Sequence, residues 1–231
     1  MNGKKKLGLI INPIAGIGGK AGLKGSDGER IQREALDKGI KPEAADKACV
    51  ALECISDLRD KIEILTYEGD MGDAAARKCG FSVRLLGSPE NPSRTSGADT
   101  ERLAKVLLSE NADLILFAGG DGTARNICGA IEDKIPVIGI PAGVKIHSGV
   151  YAVNPKSAGQ AARQFLQSSG KITKPAEVMD IDEELYRREI VSPRLYGYML
   201  VPDNKHKMQN AKMRSVSRSA SLDYIATDVI Q

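Results

Sequence analysis

Short apolar runs alternate with segments of helical periodicity over about the first 170 residues. Five runs rich in aliphatic residues predict strands, at residues 7–11, 62–65, 81–86, 113–117 and 136–140. Between and after them, apolar residues recur at helical spacing over residues 44–55, 103–107 and 156–167. Strands that alternate with helices are typical of βαβ units, so we predict a Rossmann-like α/β domain with a three-layer, parallel sheet.

The pattern changes near Pro175. Three runs, at residues 178–181, 185–191 and 195–201, are closely spaced and separated by turns, which favours antiparallel hairpins. We therefore predict two domains, an α/β nucleotide-binding domain over residues 1–175 and a β-rich domain over residues 176–231. The second is short and stops inside an apolar run, so we expect it to be a truncated portion of a longer architecture.

The composition of the chain excludes several classes of protein. A chain of 231 residues, 42% hydrophobic and 27% charged, can bury a core and is not intrinsically disordered. Its apolar runs are far shorter than the roughly 20 residues of a membrane-spanning helix, and no signal-peptide core follows the first residues, so we expect a cytoplasmic protein. Three Phe, six Tyr and no Trp offer few platforms for stacking nucleic-acid bases. The cysteines lack metal-site spacing and are interpreted as buried small hydrophobes: Cys49, Cys54, Cys79 and Cys128.

The net charge of +3 is unevenly distributed. Residues 187–218 contain eight basic and two acidic residues, so the basic character of the chain belongs to its C-terminal region. A solvated surface is the simpler interpretation. The alternative is a basic lobe that faces a polyanionic ligand.

The most specific segment is residues 113–128, where a strand runs through a glycine-rich turn directly into a helix. The turn consists of Gly119, Gly120, Asp121, Gly122 and Thr123. At the carboxyl edge of a parallel strand, such a turn places free amides at a helix N-terminus, where phosphate is stabilised. A carboxylate among these amides would repel phosphate. Its presence therefore indicates another role, which is to accept a proton, bind a metal or hydrogen bond to a sugar hydroxyl. The alternative is a simple helix cap.

A second glycine-rich stretch, residues 11–28, follows the first strand. Its six glycines make an ordered loop costly in conformational entropy without a partner, and its lysines add positive charge. The first strand is usually central in doubly wound sheets, so this loop is expected to meet the turn at residue 119 in one crevice. We assign phosphate binding to Gly16, Gly18 and Gly19.

Two further loops offer polar groups. After the fifth strand come Gly143 and Lys145, assigned to phosphate, then His147 and Ser148, assigned to a candidate substrate loop. A single histidine is more often structural than catalytic. The turn containing Thr95 and Ser96 is a second candidate substrate loop, although helix capping by the Ser96-to-Asp99 spacing explains it about as well. No protein residues are assigned to a metal.

These motifs resemble the superfamily of NAD kinases, diacylglycerol-type lipid kinases and phosphofructokinases. Residues 12–19, 22–28 and 140–148 are most similar to an ATP-NAD kinase-like branch that includes a protein of acetoin catabolism. The resemblance implies a nucleotide held between an α/β and a β domain, ATP with Mg²⁺ bridging its oxygens, and self-association. It also implies that Asn12 joins the glycines and Thr123 in binding phosphate. Asp121 would accept the proton of the adenosine-ribose 2′-hydroxyl of NAD.

The chain departs from each relative. Lipid kinases carry Glu where this chain has Asn126, and NAD kinases carry Gly-Phe-Leu where it has Ile146, His147 and Ser148. We predict an ATP-dependent kinase that phosphorylates a hydroxyl of NAD or a similar small molecule, with small-molecule nucleotides and its own copies as partners, and neither nucleic acid nor membrane. The alternatives are a non-catalytic nucleotide-binding or regulatory module and a diacylglycerol-type lipid kinase.

Overall fold

The computed structural model describes residues 3–17, 37–143, 146–169, 171–181 and 193–203. Several predictions fall outside this part of the chain. They concern Gly18, Gly19 and Lys145, the strand at residues 185–191, and nearly all of the basic C-terminal region.

The central element is a five-stranded sheet in which every neighbouring pair is parallel. In chain order its strands are β1 (Lys5–Ile11), β2 (Ile62–Thr66), β3 (Val83–Leu85), β4 (Leu114–Gly119) and β5 (Val137–Pro141). Their order across the sheet is β3-β2-β1-β4-β5, so β1 is the middle strand. The predicted α/β class is confirmed, and the five predicted strands are present, with no end shifted by more than two residues.

Five α-helices are described in this region. They are α1 (Ala44–Glu53), α2 (Asp73–Lys78), α3 (Gly97–Ser109), α4 (Asp121–Ile131) and α5 (Pro155–Gln167), with 3₁₀ turns at Ser56–Lys61 and Gly69–Met71. Ser96 begins α3 through the predicted capping box, because its hydroxyl accepts from the amide of Asp99 and its amide donates to the Asp99 carboxylate. Asn154 caps α5 with its side-chain oxygen alone, which accepts from the amide of Ser157.

The sheet is covered on both faces, which gives the three layers. Along β4 the side chains alternate between two cores: Leu114 and Leu116 pack with α1, α2 and α5, whereas Ile115 and Phe117 pack with α3 and α4. All six residues of β4 are buried. A strand buried on both faces reads as a continuous apolar run, and this is why residues 113–117 were recognisable.

A second, smaller sheet follows α5. Its strands β6 (Thr173–Ile181) and β7 (Pro193–Pro202) are antiparallel, with a register irregularity between Val178 and Met179. One face of this pair belongs to the same core as α4, through Val178, Met199 and Val201. The small sheet is therefore packed onto the helix that begins at the glycine-rich turn.

The cysteines of this fold are all free. Cys79 and Cys128 are buried, as predicted, whereas Cys49 and Cys54 are half-buried. Burial raises the pKa of the Cys79 thiol to about 12, with a further contribution from the neighbouring Cys49. A thiol with so high a pKa carries almost no thiolate, so Cys79 is a packing residue.

Not one of the helices within the described ranges combines the length and the apolar composition needed to span a bilayer.

Candidate phosphate-binding crevice

Three loops meet at the carboxyl end of the parallel sheet, those after β1, β4 and β5. The amide of Asn12 donates to the carbonyl of Ala118 over 2.9 Å, and its side-chain Nδ2 donates to the hydroxyl of Thr123 over 3.1 Å. Gly16 packs against the carbonyl oxygen of Ala142 so closely that a Cβ at residue 16 would lie 2.3 Å from it. The structure thus brings together Asn12, Gly16 and the Gly119 turn.

Two of the glycines in the crevice serve backbone packing. A Cβ on Gly119 would lie 2.4 Å from the Thr123 hydroxyl, and a Cβ on Gly143 would lie 2.9 Å from the Cα of Gly120. The Gly119 carbonyl accepts from the amides of Ala142 and Gly143 over 3.0 and 3.1 Å. These residues therefore clamp the loops after β4 and β5 together, a role that sequence reasoning did not assign to them.

The N-terminus of α4 points its amides into this crevice. Its N-cap residue is Gly120, which has no side chain to cap the helix, and the Gly120 carbonyl accepts from the amides of Thr123 and Ala124. The amides of Asp121 and Gly122 lie in the first turn, where the helix has no carbonyl group to accept their hydrogen bonds. Among the described residues, a Cβ on Gly120 would meet only the Cα of Gly143, at 3.5 Å, so these residues leave the backbone there open to close approach.

Asp121 lies behind these amides and is 6% exposed. Its Oδ2 accepts from the backbone amide of His147 over 2.7 Å. Its Oδ1 accepts from the amide of Ser148 over 3.1 Å and lies 2.7 Å from the Ser148 hydroxyl. Three donors therefore compensate the charge of this carboxylate and fix its orientation, which burial alone would make costly.

The candidate substrate loop after β5 is divided between a buried and a half-buried residue. Ser148 is fully buried, and its hydroxyl also lies 2.8 Å from the carbonyl of Met179 on β6 and accepts from the Met179 amide over 3.0 Å. His147 is half-buried, and its Nε2 is enclosed without a hydrogen-bond partner among the residues described. Contact of this loop with a substrate stays a prediction.

The second candidate substrate loop is occupied by helix capping. The Ser96 hydroxyl lies 2.7 Å from Oδ2 of the buried Asp99, which also pairs with Arg102. Thr95 is half-buried. Gly97 lies beside α4, since a Cβ on it would come 2.4 Å from Nδ2 of Asn126. The turn therefore lies near α4, but the amide and hydroxyl of Ser96 are already hydrogen bonded to Asp99.

Tyr151 hydrogen bonds to the backbone of the crevice, and the sequence analysis did not identify it. It is fully buried, and its hydroxyl donates to the Gly120 carbonyl over 2.6 Å. Burial raises the pKa of Tyr151 well above its usual value, with smaller contributions from Asp121 and Asp180, so the hydroxyl remains a donor. The ring of Tyr151 packs against Gly139, where an added Cβ would lie 2.4 Å from a ring carbon. This contact is set by the tertiary structure, so no sequence motif identifies the tyrosine.

An ion pair joins α4 to the small sheet. Arg125, one helical turn after Asp121, pairs with Asp180 on β6 over 2.7 Å, and Asp180 Oδ2 lies 3.9 Å from where a Cβ on Gly122 would be. The guanidinium groups of Arg125 and Arg194 both lie about 5.5 Å from the ring centre of Tyr196 (5.5 and 5.4 Å). These residues extend the polar lining beyond the glycine-rich turn.

A separate groove of about 530 Å³ opens at the other end of the sheet, where β1 and β2 begin. It is lined in part by Lys4, Lys5 and Lys61. In open parallel sheets ligands bind outside the carboxyl ends of the strands, so we place the candidate site at the loops around Asp121 rather than in this groove.

Within the described part of the chain, no group of three or more His, Cys, Asp or Glu side chains could hold a metal ion. Asp121, the acidic residue of the crevice, is already held by amides and a hydroxyl.

Comparison with known families identifies the fold. A search of curated proteins finds no match to the chain. The family model of the ATP-NAD kinase N-terminal domain matches residues 7–171, which hold nearly all of the parallel sheet, the helices packed on it and the glycine-rich turn. Because that match covers well over half of the 231 residues, the chain belongs to the ATP-NAD kinase family and carries its kinase-type nucleotide-binding domain.

Proposed function

We propose that this chain transfers the γ-phosphoryl group of ATP to a hydroxyl of NAD or of a similar nucleotide. The observation that carries the proposal is the crevice where the loops after β1, β4 and β5 meet around Asp121. It combines uncapped amides at the start of α4 with a carboxylate fixed in one orientation. Membership of the ATP-NAD kinase family supports the reaction class.

The phosphates of ATP would bind at the N-terminus of α4. The amides of Asp121 and Gly122 and the helix dipole favour an anion there, and Gly120 leaves room for a phosphate oxygen. Asn12 contributes through Thr123, whose hydroxyl it holds. Gly16 shapes the same wall through its contact with Ala142.

Asp121 would act as the general base. The acceptor hydroxyl loses its proton to the carboxylate while its oxygen forms a bond to the γ-phosphorus, and the bond from that phosphorus to the bridging oxygen of ADP breaks. The three donors from His147 and Ser148 keep the carboxylate oriented before the substrate arrives. Preorganisation of this kind avoids a reorganisation cost during the reaction.

Mg²⁺ fits this site only as a partner of ATP. The described residues offer no three-ligand cluster, and the Asp121 oxygens accept protein hydrogen bonds. When bound, the ion would neutralise charge on the phosphate oxygens. The residues of the chain would then bind the phosphates and receive the proton.

A regulatory module without turnover is the second candidate. Its support is the burial of Asp121, which gives the carboxylate a complete structural role in holding the loop after β5. A diacylglycerol-type lipid kinase has less support, because Asn126 stands where lipid kinases carry Glu and its amide group is packed against Gly97.

The test is a panel of ATP-consumption assays with NAD, NADH, small polyols and diacylglycerol micelles as acceptors. We expect phosphorylation of a dinucleotide and none of the lipid. Binding of ATP without turnover on any acceptor would favour the regulatory module.

The matched variant is Asp121→Asn, which keeps the shape and an acceptor oxygen but cannot take the proton. We expect turnover to fall by roughly 10² or more while ATP binding, measured by calorimetry, changes little. Parental turnover in this variant would refute the role of Asp121 as base.

A further inference from the structure

We propose that Ser148 is a positioning residue whose hydroxyl changes hydrogen-bond partner as Asp121 gains its proton. The inference rests on the proposed function, because it assigns the proton of the acceptor hydroxyl to Asp121. It concerns a residue that lies between the parallel-sheet domain and the small sheet.

The geometry gives one hydrogen two acceptors. The Ser148 Oγ lies 2.7 Å from Asp121 Oδ1 and 2.8 Å from the carbonyl oxygen of Met179, while the Met179 amide donates to it over 3.0 Å. A hydroxyl carries a single donor hydrogen and can serve one of these acceptors at a time. The two arrangements differ only by rotation about the Cβ–Oγ bond of a side chain that is fully buried.

The charge on Asp121 decides between the two acceptors. An ionised carboxylate accepts a stronger hydrogen bond than a backbone carbonyl, so the hydroxyl serves Oδ1 before reaction. The substrate proton would add to Oδ2, which has one donor among the described residues where Oδ1 has two. The electron pair of the broken O–H bond stays on the substrate oxygen, which bonds to phosphorus. Once the acid is neutral, the serine hydrogen turns to Met179, and no covalent bond of Ser148 is broken.

The surroundings make this response specific to Asp121. Among the described residues, the ionisable groups near the carboxylate are His147 on the same loop, Tyr151 behind Gly120, and the Arg125–Asp180 pair between α4 and β6. Ser148 touches both Asp121 and β6. Its hydroxyl therefore couples the ionisation of the base to the attachment of the small sheet.

A kinetic comparison of Ser148→Ala with Ser148→Thr tests the role. The alanine removes the hydroxyl, the threonine restores it, and Ser157→Ala is the control for truncating a buried serine elsewhere. We expect Ser148→Ala to lower kcat about tenfold, the scale of one hydrogen bond to a charged group. The KM values for ATP and acceptor should stay unchanged, and the acid side of the pH–rate profile should move to higher pH, because the ionised base has lost a donor.

The controls separate positioning from general destabilisation. Ser157→Ala is expected to keep the parental kcat and pH profile, and Ser148→Thr to recover most of the loss. A Ser148→Ala enzyme with the parental pH profile, or with its loss entirely in KM, would overturn the proposal.

A stability measurement tests the hydrogen-bond switch without relying on activity. Urea unfolding of Ser148→Ala is measured in the parental chain and in Asp121→Asn, where residue 121 is neutral. We expect the serine substitution to lower the unfolding midpoint clearly less in the neutral background, because the hydroxyl has turned to Met179. An equal loss in both backgrounds would overturn the switch. If the parent consumes no ATP but this difference persists, the proposed function fails while the coupling between Ser148 and the Asp121 charge stands.

Discussion

The two sheets of this protein differ in how they obtain their cores. The five-stranded parallel sheet is enclosed by helices on both faces, and its fourth strand is buried at every residue. The small antiparallel sheet buries one face on α4 and leaves Leu195 and Tyr198 exposed, 46% and 49% of each residue. The two strands described in the small sheet cannot enclose a core by themselves.

This difference places α4 at the junction. The helix begins at Asp121, packs on the parallel sheet through Ile127 and contacts the small sheet through Arg125 and Cys128. The loops of the parallel sheet form the crevice, and β6 adds contacts at its border through Met179 and Asp180. The small sheet in turn packs on the helix that starts there. We therefore expect the small sheet to be the less stable of the two.

The largest expected effect comes from matched truncations in the two sheets. Leu116 in β4 and Met199 in β7 are both fully buried, and replacing either with Ala removes roughly 2–5 kcal/mol of packing where the site cannot collapse. We expect Leu116→Ala to lower the midpoint of unfolding of the whole domain. Met199→Ala should mainly increase amide exchange in β6 and β7, as mass spectrometry would measure. Equal loss of protection in β1 and β4 for both variants would mean that the sheets unfold as one unit.

A glycine pair tests how tightly the parallel sheet holds its loops. Gly16 and Gly39 both have positive φ, 81° and 73°, but of the two only Gly16 has an atom of a described residue within 4 Å of an added Cβ. Alanine at either costs about 1 kcal/mol for the backbone conformation. At residue 16 it must also displace Ala142, so we expect Gly16→Ala to weaken ATP binding about tenfold or more by calorimetry. Gly39→Ala should bind ATP as the parent does, and equal weakening in both would discount the contact.

A smaller effect is expected from Tyr151→Phe. The substitution keeps the ring against Phe117 and removes one of three donors to the Gly120 carbonyl, which still accepts from the amides of Thr123 and Ala124. The cost should be about 1 kcal/mol in thermal or urea unfolding, the net value of one hydrogen bond, without loss of secondary structure. A variant as stable as the parent would show that the two amides alone satisfy the carbonyl.

The smallest expected effect is on how the stability of the protein depends on pH in the acid range. Burial alone would raise the pKa of Asp99, but hydrogen bonds from Ser96 and Glu90 and the charge of Arg102 outweigh it, so this pKa is lowered. A carboxyl whose pKa is lower in the folded state stabilises the protein above its unfolded pKa of about 3.9, and this contribution disappears as the pH falls below that value. We expect Asp99→Asn to be less stable than the parent at pH 7 and closer to it near pH 3. A constant difference across this range would contradict the assignment.

The parts of the fold that depend on a local pattern of residues could be predicted from the sequence. The buried strands were visible as continuous apolar runs, and the start of α3 was visible in the spacing of Ser96 and Asp99. The short helix α2 was missed because its six residues give too little periodicity to recognise.

The contacts of the crevice could not be foreseen in the same way. Asp121 meets Ser148 and Gly16 meets Ala142 because parallel strands far apart in the chain end at one edge of the sheet. The motif at residue 119 identified the edge, but the partner of each side chain is set by tertiary packing. Tyr151 and Asp180 had no signal in the sequence for this reason.

The central position of β1 also has a consequence for synthesis on the ribosome. β1 is made first, yet its partners are β2, beginning at Ile62, and β4, beginning at Leu114. One edge of the strand stays unpaired until β2 has emerged, and the other edge until β4 has emerged, more than a hundred residues after Ile11. Pairings between such distant segments form slowly. We expect the nascent apolar segment Lys5–Ile11 to need protection by chaperones until β4 leaves the exit tunnel.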